Sequence, residues 1–306
     1  VKMPTSIGYG NGYEVSYMNS GKMTNKGWEF RVDAVPFENR DWRVGFYFNI
    51  AHNENKITEM PDNYTEENYT FNNGEYAYRR EEGRPMGSFY GYRYKGVCQN
   101  KDATYASDAD GNVMKDISGN AIVMRNGTAT IAPGDALYED INHDGVINQY
   151  DIVYLGNSNP RFTGGAGVNV SYKQFKLSAI FYGRYGQDVV NSTRLNNESM
   201  RGIDNQSTAV LRRWRNEGDQ TDIPRALYGE GYNTLGSDRF VEDASYLRLK
   251  SLSFNYRLPK KIIQRWGFSN IDVYVTGYNL FTWTKYTGQD PEVKTENTYA
   301  RDSATT

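Results

Sequence analysis

Alternation of apolar and polar residues is the dominant pattern along this chain. From Trp28 to Val35 the even positions are apolar and the odd positions are mostly charged, and from Trp42 to Ile50 the even positions are again mainly apolar. A period of two residues is typical of β-strands that keep one face in an apolar environment. Because the turn-forming cluster Glu38–Asp41 lies between these segments, the pattern predicts an antiparallel hairpin.

Four more segments alternate in the same way and predict two further hairpins. Near Lys250 the apolar positions change from odd to even, which predicts a β-bulge at that point. Gly87–Val97 is a seventh and weaker strand candidate. The predicted hairpins pair Gly165–Tyr172 with Phe175–Gly186, and Phe240–Leu258 with Ile271–Trp283.

Long polar stretches separate the predicted strands. Short turns at one end of a sheet and long loops at the other are the layout of an outer-membrane β-barrel. Within the loops, Ser207–Glu217 is predicted to be a helix, and Asp108–Asn112 and Asp116–Asn120 are predicted to be successive turns of a small hairpin. The long stretches are Glu59–Met86, Gln99–Pro160 and Asp188–Arg239.

The strand count leaves one question open. If Gly87–Val97 and Gly165–Tyr172 both cross the membrane inward, the number of crossings between them has the wrong parity. Either Gly87–Val97 does not span the membrane, or Ala121–Ala132 supplies a further strand.

Composition fits a barrel and excludes several other classes. Mean hydropathy is −0.77 despite 26 Tyr, 13 Phe and 5 Trp, as expected when apolar and polar residues alternate. With 35 basic and 37 acidic residues, nothing favours nucleic acid as a partner. The single Cys98 and the two histidines, His52 and His143, leave no support for a thiol site, a zinc site or a catalytic triad. We therefore predict that the protein is not an enzyme.

The segment Asp140–Asp151 has the spacing of a calcium-binding loop. Oxygen-bearing side chains occupy positions 1, 3, 5, 9 and 12, and Gly145 occupies position 6. The alternative is a turn rich in Asp and Asn that holds no ion. The sequence predicts a structural Ca²⁺ site with the ligands Asp140, Asn142, Asp144, Val146 (through its carbonyl), Asn148 and Asp151.

Six blocks of sequence resemble the SusC/RagA family of TonB-dependent outer-membrane transporters of Bacteroidetes. Their order along the chain is that of the C-terminal third of such a transporter. The blocks are Asn19–Glu29, Glu82–Gly91, Tyr138–Asn148 with Gly156–Phe162, Ala244–Leu252, Gly277–Phe281 and Tyr286–Glu292.

The resemblance implies an all-β fold: residues 1–306 would be the C-terminal portion of an antiparallel transmembrane barrel of 22 strands with long extracellular loops. The plug domain and the final strand are expected to lie outside this sequence. The implied function is TonB-dependent uptake of oligosaccharides or peptides across the bacterial outer membrane, with TonB acting through the missing plug. A SusD-like surface lipoprotein is the implied partner, and the implied assembly is a dimer of transporter–lipoprotein pairs.

A soluble, secreted β-rich carbohydrate-binding or adhesive module with a calcium-pinned loop is the alternative. The two classes differ in one respect: in a barrel, the apolar faces of the strands are in contact with lipid. Loop aromatic residues could stack on sugars, although packing within the loops is the simpler interpretation. Arg212, Arg213 and Arg215 around Trp214 are interpreted as a solvated helix face. The loop aromatics are Tyr64, Tyr69, Phe71, Tyr76, Tyr78, Tyr228 and Tyr232.

Overall fold

Six long antiparallel strands form the main sheet of the computed structural model. The structure describes residues 2–6, 15–19, 21–60, 76, 79–229, 232–292, 295–296 and 299–302. Each long strand pairs with the next one along the chain, so the spatial order is the sequence order. The strands are β1 (Lys22–Glu38), β2 (Trp42–Glu59), β3 (Phe162–Tyr172), β4 (Phe175–Tyr185), β5 (Tyr246–Arg257) and β6 (Asp272–Thr284).

All six strongly alternating segments are confirmed as strands of this sheet. The largest differences in bounds are in β1 and β2, which contain 17 and 18 residues. Their outer parts alternate less clearly because they carry polar residues on both faces. β5 begins at Tyr246 rather than Phe240, since Phe240 is buried at the end of a 3₁₀ turn.

The register places the apolar positions of all six strands on one face. Ala166 is paired with Phe48 and Phe181, and Val168 with Phe46 and Ala179. The opposite face carries polar residues, because antiparallel partners point to the same side. A complete row across the apolar face contains Ala34, Phe46, Val168, Ala179, Leu252 and Gly277.

Aromatic residues lie at both ends of the apolar face. At one end Trp42 contacts Tyr172 with ring centroids 4.3 Å apart, and at the other His52 contacts Phe162 at 5.1 Å. Ten residues along β3 separate these ends, a distance of ~34 Å along the strand. At the usual strand tilt this gives an apolar band ~25 Å tall, flanked by aromatic girdles.

Bulges or irregularities interrupt the regular pairing of the main sheet at three places, one of them between Lys22 and Met23 at the start of β1. The predicted bulge near Lys250 is confirmed, since the register shifts between Leu249 and Ser251 against β6 and next to it against β4. Across from it, Asn279 has a positive φ of 51°. The third lies between Ala34 and Phe37 and contains Pro36, which cannot donate to a regular ladder.

The connections differ strongly in length at the two ends of the sheet. Three residues join β1 to β2, two join β3 to β4, and residues 258–271 join β5 to β6. At the other end, residues 60–161 and 186–245 connect consecutive strands, and the described parts of these connections form an external loop assembly. The predicted layout of short turns opposite long loops is confirmed.

One prediction about the loops is wrong, and the question of strand parity is answered by the first of its two alternatives. Gly87–Val97 is not part of the main sheet: it forms two short strands that pair with other loop segments, Val153–Asn157 and Ala136–Tyr138. Ala121–Ala132 supplies no spanning strand either, so the parity question disappears. In place of a helix over Ser207–Glu217 there is only the 3₁₀ turn Thr208–Arg212.

The remaining elements are short. Among the described residues, no helix is both long and apolar enough to cross a membrane. The helices are α1 (Ser192–Asn197) and α2 (Lys260–Ile263). The short strands are Lys2–Ser6, Val15–Asn19, Ser88–Gly91, Tyr94–Val97, Arg125–Asn126, Ala129–Thr130, Ala136–Tyr138, Val146–Ile147, Val153–Asn157, Asp188–Asn191, Val241–Asp243, Thr295–Glu296 and Tyr299–Asp302.

Candidate functional site

The polar face of the sheet has a middle zone of small, uncharged side chains. Ser178 donates to Asn169 Oδ1 at 2.6 Å, and the hydroxyls of Ser253 and Thr276 are 2.9 Å apart. Gly45 lies opposite Asn169 in the same row. Several charged groups on this face are paired, as in Arg31 with Asp33. Such a surface suits the water-filled lumen of a transport barrel.

The external loop assembly has its own apolar core. Its largest cluster contains Cys98, Tyr92 and Tyr138, all nearly inaccessible to solvent. Burial raises the pKa of the Cys98 thiol to about 11, so the thiol is protonated at neutral pH and unreactive. The described parts of the two long connections are therefore packed structures that form one end of the candidate site.

A buried ionic network joins three parts of this assembly. Glu198 accepts from Arg194 Nε at 3.0 Å and from Arg239 Nη2 at 2.8 Å. Arg194 also contacts Glu242 at 3.3 Å, and Glu242 accepts from the backbone N–H of Thr287 at 2.9 Å. Each charge thus has an opposite partner, although Nε and Nη1 of Arg239 are buried without a hydrogen-bond acceptor among the described residues.

Arg248 holds the segment after β6 against the polar face of the sheet. Its side chain is only 6% exposed and donates to Glu292 at 2.9 Å and to Asp290 at 2.5 Å. Lys250, displaced by the bulge, contacts the same Glu292 at 3.2 Å. The chain from Asp290 to Glu292 thus folds back over the polar face of the sheet.

The predicted calcium loop is a compact turn. Asp140 Oδ2 accepts from Gly145 N at 2.7 Å, and Asp144 Oδ1 accepts from Val146 N at 2.8 Å. Gly145 has a φ of +80°, the left-handed conformation that the sixth loop position requires. Asn142 donates to Asp144 Oδ2 at 2.9 Å. Asn148 donates to the Val146 carbonyl at 3.0 Å.

Asp151 has a different position from the other predicted ligands. Its side chain is fully buried and accepts from Ile141 N and Asn148 N, both at 2.8 Å. Burial raises the pKa of this carboxyl. Both of its oxygens thus close the loop by bonding the backbone at its two ends.

The donor set fits a hard cation, but the carboxylates are few. Within the described residues, no group of three or more His, Cys, Asp and Glu side chains is placed to hold a metal. Asp140 and Asp144 are the acidic members at the turn. Asn142, Asn148 and the Val146 carbonyl supply neutral oxygen atoms of the kind that Ca²⁺ accepts.

Trp214, which is flanked by arginines, does not lie on a helix. It anchors an irregular part of the chain. Its backbone N–H donates to the Ile223 carbonyl at 2.9 Å, and its ring lies against Gly134, where an added Cβ would be 2.3 Å from the ring. This tertiary contact ends the turn at Arg212. The predicted helix is therefore wrong, whereas Arg212 and Arg215 are exposed to solvent and the buried Trp214 is their anchor, as predicted.

The predicted loop aromatics have several locations. Tyr76 is buried and donates to the Ser237 carbonyl at 2.8 Å. Tyr228 is 79% exposed, whereas Tyr232 is half-buried. The predictions for Tyr64, Tyr69, Phe71 and Tyr78 fall outside the described residues.

Sequence reasoning missed the buried charged groups. Asp135 is fully buried and accepts from Arg225 Nε at 2.6 Å, across 90 residues of sequence. Arg248 and Arg239 were likewise overlooked. Only Arg248 carried a signal: it lies between Leu247 and Leu249, where alternation places it on the polar face opposite the two leucines.

The chain is similar to transporters of known class, although no protein-family model matches it. TonB-dependent receptor P3 of Formosa agariphila is 32% identical over 297 residues, which cover 94% of this chain and 27% of that receptor. TonB-dependent receptor SusC of Bacteroides thetaiotaomicron is 26% identical over 286 residues, which cover 90% of this chain and 25% of that receptor.

Solved structures that this chain resembles belong to the same class of transporter. The RagAB peptide transporter matches with a TM-score of 0.64 and 26% identity, over 94% of this chain and 29% of the transporter chain. The chain thus spans about a quarter of the length of the relatives it matches. The two-faced sheet, the girdles and these similarities agree: the chain is similar to TonB-dependent transporters of the SusC and RagAB type in the Bacteroidetes outer membrane, and its sheet matches a section of their transmembrane β-barrel.

Proposed function

We propose that this chain forms wall, luminal lining and external loops of a transporter that imports oligosaccharides or peptides. The observation that supports this most is the six-stranded sheet with one apolar and one polar face, joined to packed external loops. A soluble secreted module, the alternative predicted above, would not require a continuous apolar face in contact with lipid. The chain provides no covalent chemistry in this function.

Import would proceed by conformational change. The external loops and a SusD-like lipoprotein would enclose the ligand, and TonB would then displace the plug of the full-length transporter to open the lumen. The residues of this chain contribute hydrogen-bonding groups along the wall, including Asn169, Ser178, Ser253 and Thr276. Uncharged hydroxyl and amide groups suit both sugars and peptide backbones.

A growth experiment tests the proposal. The gene of the full-length transporter is deleted, and growth is measured on single oligosaccharides and on peptide mixtures as the limiting nutrient. We expect loss of growth on one of these classes, restoration by the wild-type gene, and the same defect when TonB is inactivated. Unchanged growth and unchanged uptake of every labelled oligosaccharide and peptide would contradict the proposal.

Copurification tests the partner. An affinity tag on the transporter should retain a lipoprotein at about one copy per transporter. The mass of the intact complex distinguishes a single pair from a dimer of pairs. Retention of no lipoprotein in mild detergent would contradict this part of the proposal.

We also propose that the Asp140–Asp151 loop binds one Ca²⁺ with a structural role. Asp140, Asn142, Asp144, Asn148 and the Val146 carbonyl would contact the ion, while Asp151 would close the loop. Calcium should slow hydrogen exchange of the backbone N–H groups of this loop, and Asp144→Asn should weaken the effect. Exposed Asp110→Asn is the matched control. Identical exchange with calcium and with a chelator would favour the ion-free turn.

A further inference from the structure

The apolar face of the sheet contains a groove near its loop end. Gly164 and Gly183 face each other in register and form its floor. Phe181 and Trp283, whose ring centroids are 6.5 Å apart, stand on one side of the floor. The groove has a volume of about 700 Å³. Other apolar residues that line it are Phe48, Ile50, Phe162, Ala166, Tyr185 and Leu247.

Close approach of the strands keeps the floor free of side chains. A Cβ at Gly164 would be 2.6 Å from the Asn49 carbonyl oxygen, and a Cβ at Gly183 would be 2.7 Å from that of Tyr246. Larger residues therefore do not fit at these two positions without movement of the backbone. The groove therefore results from the close approach of neighbouring strands at these two glycines.

The depth of the groove in the membrane follows from its neighbours. Phe162 and Tyr185 belong to the aromatic girdle at the loop end, and the glycine pair lies two residues further along the strands. Because long loops are extracellular in such barrels, the groove faces the acyl region of the outer leaflet. Lys285, which is exposed, lines the external rim.

We propose that the groove binds one acyl chain of an anionic lipid of the outer leaflet, with Lys285 contacting its phosphate group. Neighbouring strands are ~4.8 Å apart, so a floor two strands wide accommodates an unbranched methylene chain between the flanking rings. Lys285 adds attraction for a negative headgroup at the interface. The proposal rests on the similarity to these outer-membrane transporters and not on the nature of the cargo.

Two substitutions test the site in the full-length transporter. Ala166→Leu places a side chain in the groove, and Lys285→Glu reverses the charge at its rim. Their controls are Ala179→Leu, on the same face but outside the groove, and Lys260→Glu, at the short-turn end. Each protein is extracted in mild detergent, stripped of loosely held lipid, and analysed by native mass spectrometry for bound phosphorylated lipid.

We expect the wild-type protein and both controls to retain one lipid. Ala166→Leu should lower retention roughly tenfold, the effect of about two fewer buried methylene groups, and Lys285→Glu should lower it several-fold. Equal retention by all five proteins would mean that the lipid is not held in the groove and would overturn the proposal.

A change in oligomer mass without a change in retained lipid would also overturn it, because the groove would then be a contact between copies of the chain. If Ala166→Leu fails to fold, the amount of lipid retained by Lys285→Glu alone tests the proposal. Import of the cargo is measured separately, so failure of the lipid site would leave the proposed transport function standing.

Discussion

At the residue scale, the contact between Gly134 and Trp214 is a sharp test of the loop assembly. Gly134 has a φ of +90° and lies under the indole ring, whereas Gly119 has a φ of +81° and no heavy atom within 4 Å of an added Cβ. Alanine costs about 1 kcal/mol at either position because of the left-handed backbone. At Gly134 the overlap with the ring should add about 2 kcal/mol.

Hydrogen exchange measures the difference. The Arg225 N–H donates to the Gly134 carbonyl at 2.7 Å, so its exchange should accelerate strongly in Gly134→Ala and little in Gly119→Ala. Equal effects of the two substitutions would show that the ring does not restrain this segment.

Predictability from sequence varied among residues for a physical reason. Gly145 could be placed in a tight turn because the surrounding Asp and Asn residues define the turn locally. The pairing of Asp135 with Arg225 could not be predicted, because it depends on how two distant loops fold together. Trp214 was misplaced for the same reason: its anchoring contact with Gly134 is remote in sequence.

At the scale of elements, the short strand Asp188–Asn191 should make the loop assembly sensitive to pH. Burial raises the pKa of Asp188 above 3.8, with Asp243 nearby acting in the same direction, although the carboxylate accepts from Asn157 N at 3.1 Å. A raised pKa contributes stability that is present below the unfolded value and lost as pH rises through the folded value.

Asp188→Asn should therefore stabilise the external assembly at about pH 7 and have little effect at about pH 3.5. The asparagine oxygen can still accept from Asn157. Thermal unfolding at the two pH values measures this, with exposed Asp204→Asn as the control. A stabilisation of equal size at both pH values would contradict the assignment to ionisation.

Arg248 should be the main restraint on the chain from Asp290 to Glu292. Arg248→Lys keeps the charge but loses the planar fork that reaches both Asp290 and Glu292. We expect a loss of about 1–3 kcal/mol in the local stability of this segment, visible as faster exchange of the Glu292 N–H.

Arg257→Lys is the matched control for this prediction. Its partner Asp272 lies at the short-turn end of the sheet, so the segment should not respond to it. Unchanged exchange in Arg248→Lys would show that Arg248 does not hold the segment.

The strands of the main sheet were predictable from the sequence, and the elements of the loop assembly were not. Strands β1 to β6 carry their own alternation because each has one apolar face, and the bulge at Lys250 could be located from the change of phase. Gly87–Val97 alternates too, but its partners are loop segments and its apolar face lies in a local core. Alternation alone does not distinguish these two environments.

At the scale of the whole molecule, adjacent residues of β3 should respond in opposite ways to the same charge. Val168 lies in the middle of the apolar face and Asn169 on the polar face. Val168→Arg should cost about 2–4 kcal/mol in a bilayer, while Asn169→Arg should cost little because water fills the lumen. Equilibrium unfolding of the full-length transporter from lipid vesicles measures both.

Comparable costs for the two substitutions would contradict the assignment of the faces. The fold class itself followed from the sequence, since alternation, low mean hydropathy and loop asymmetry all reflect the requirement to satisfy every backbone group within lipid. The cargo could not be predicted, because many polar ligands fit a lumen lined by hydroxyl and amide groups.

The length of the first hairpin has a consequence for assembly at the cell surface. β1 begins six residues before Trp28, and β2 ends seven residues after His52. Lys22 and Glu59 are paired at this open end of the hairpin, opposite its turn. At ~3.3 Å per residue this section projects roughly 20 Å along the strand direction past the girdle. The ends of these two strands thus project above the lipid, and the lipoprotein proposed above would have to sit inside them or rest on them.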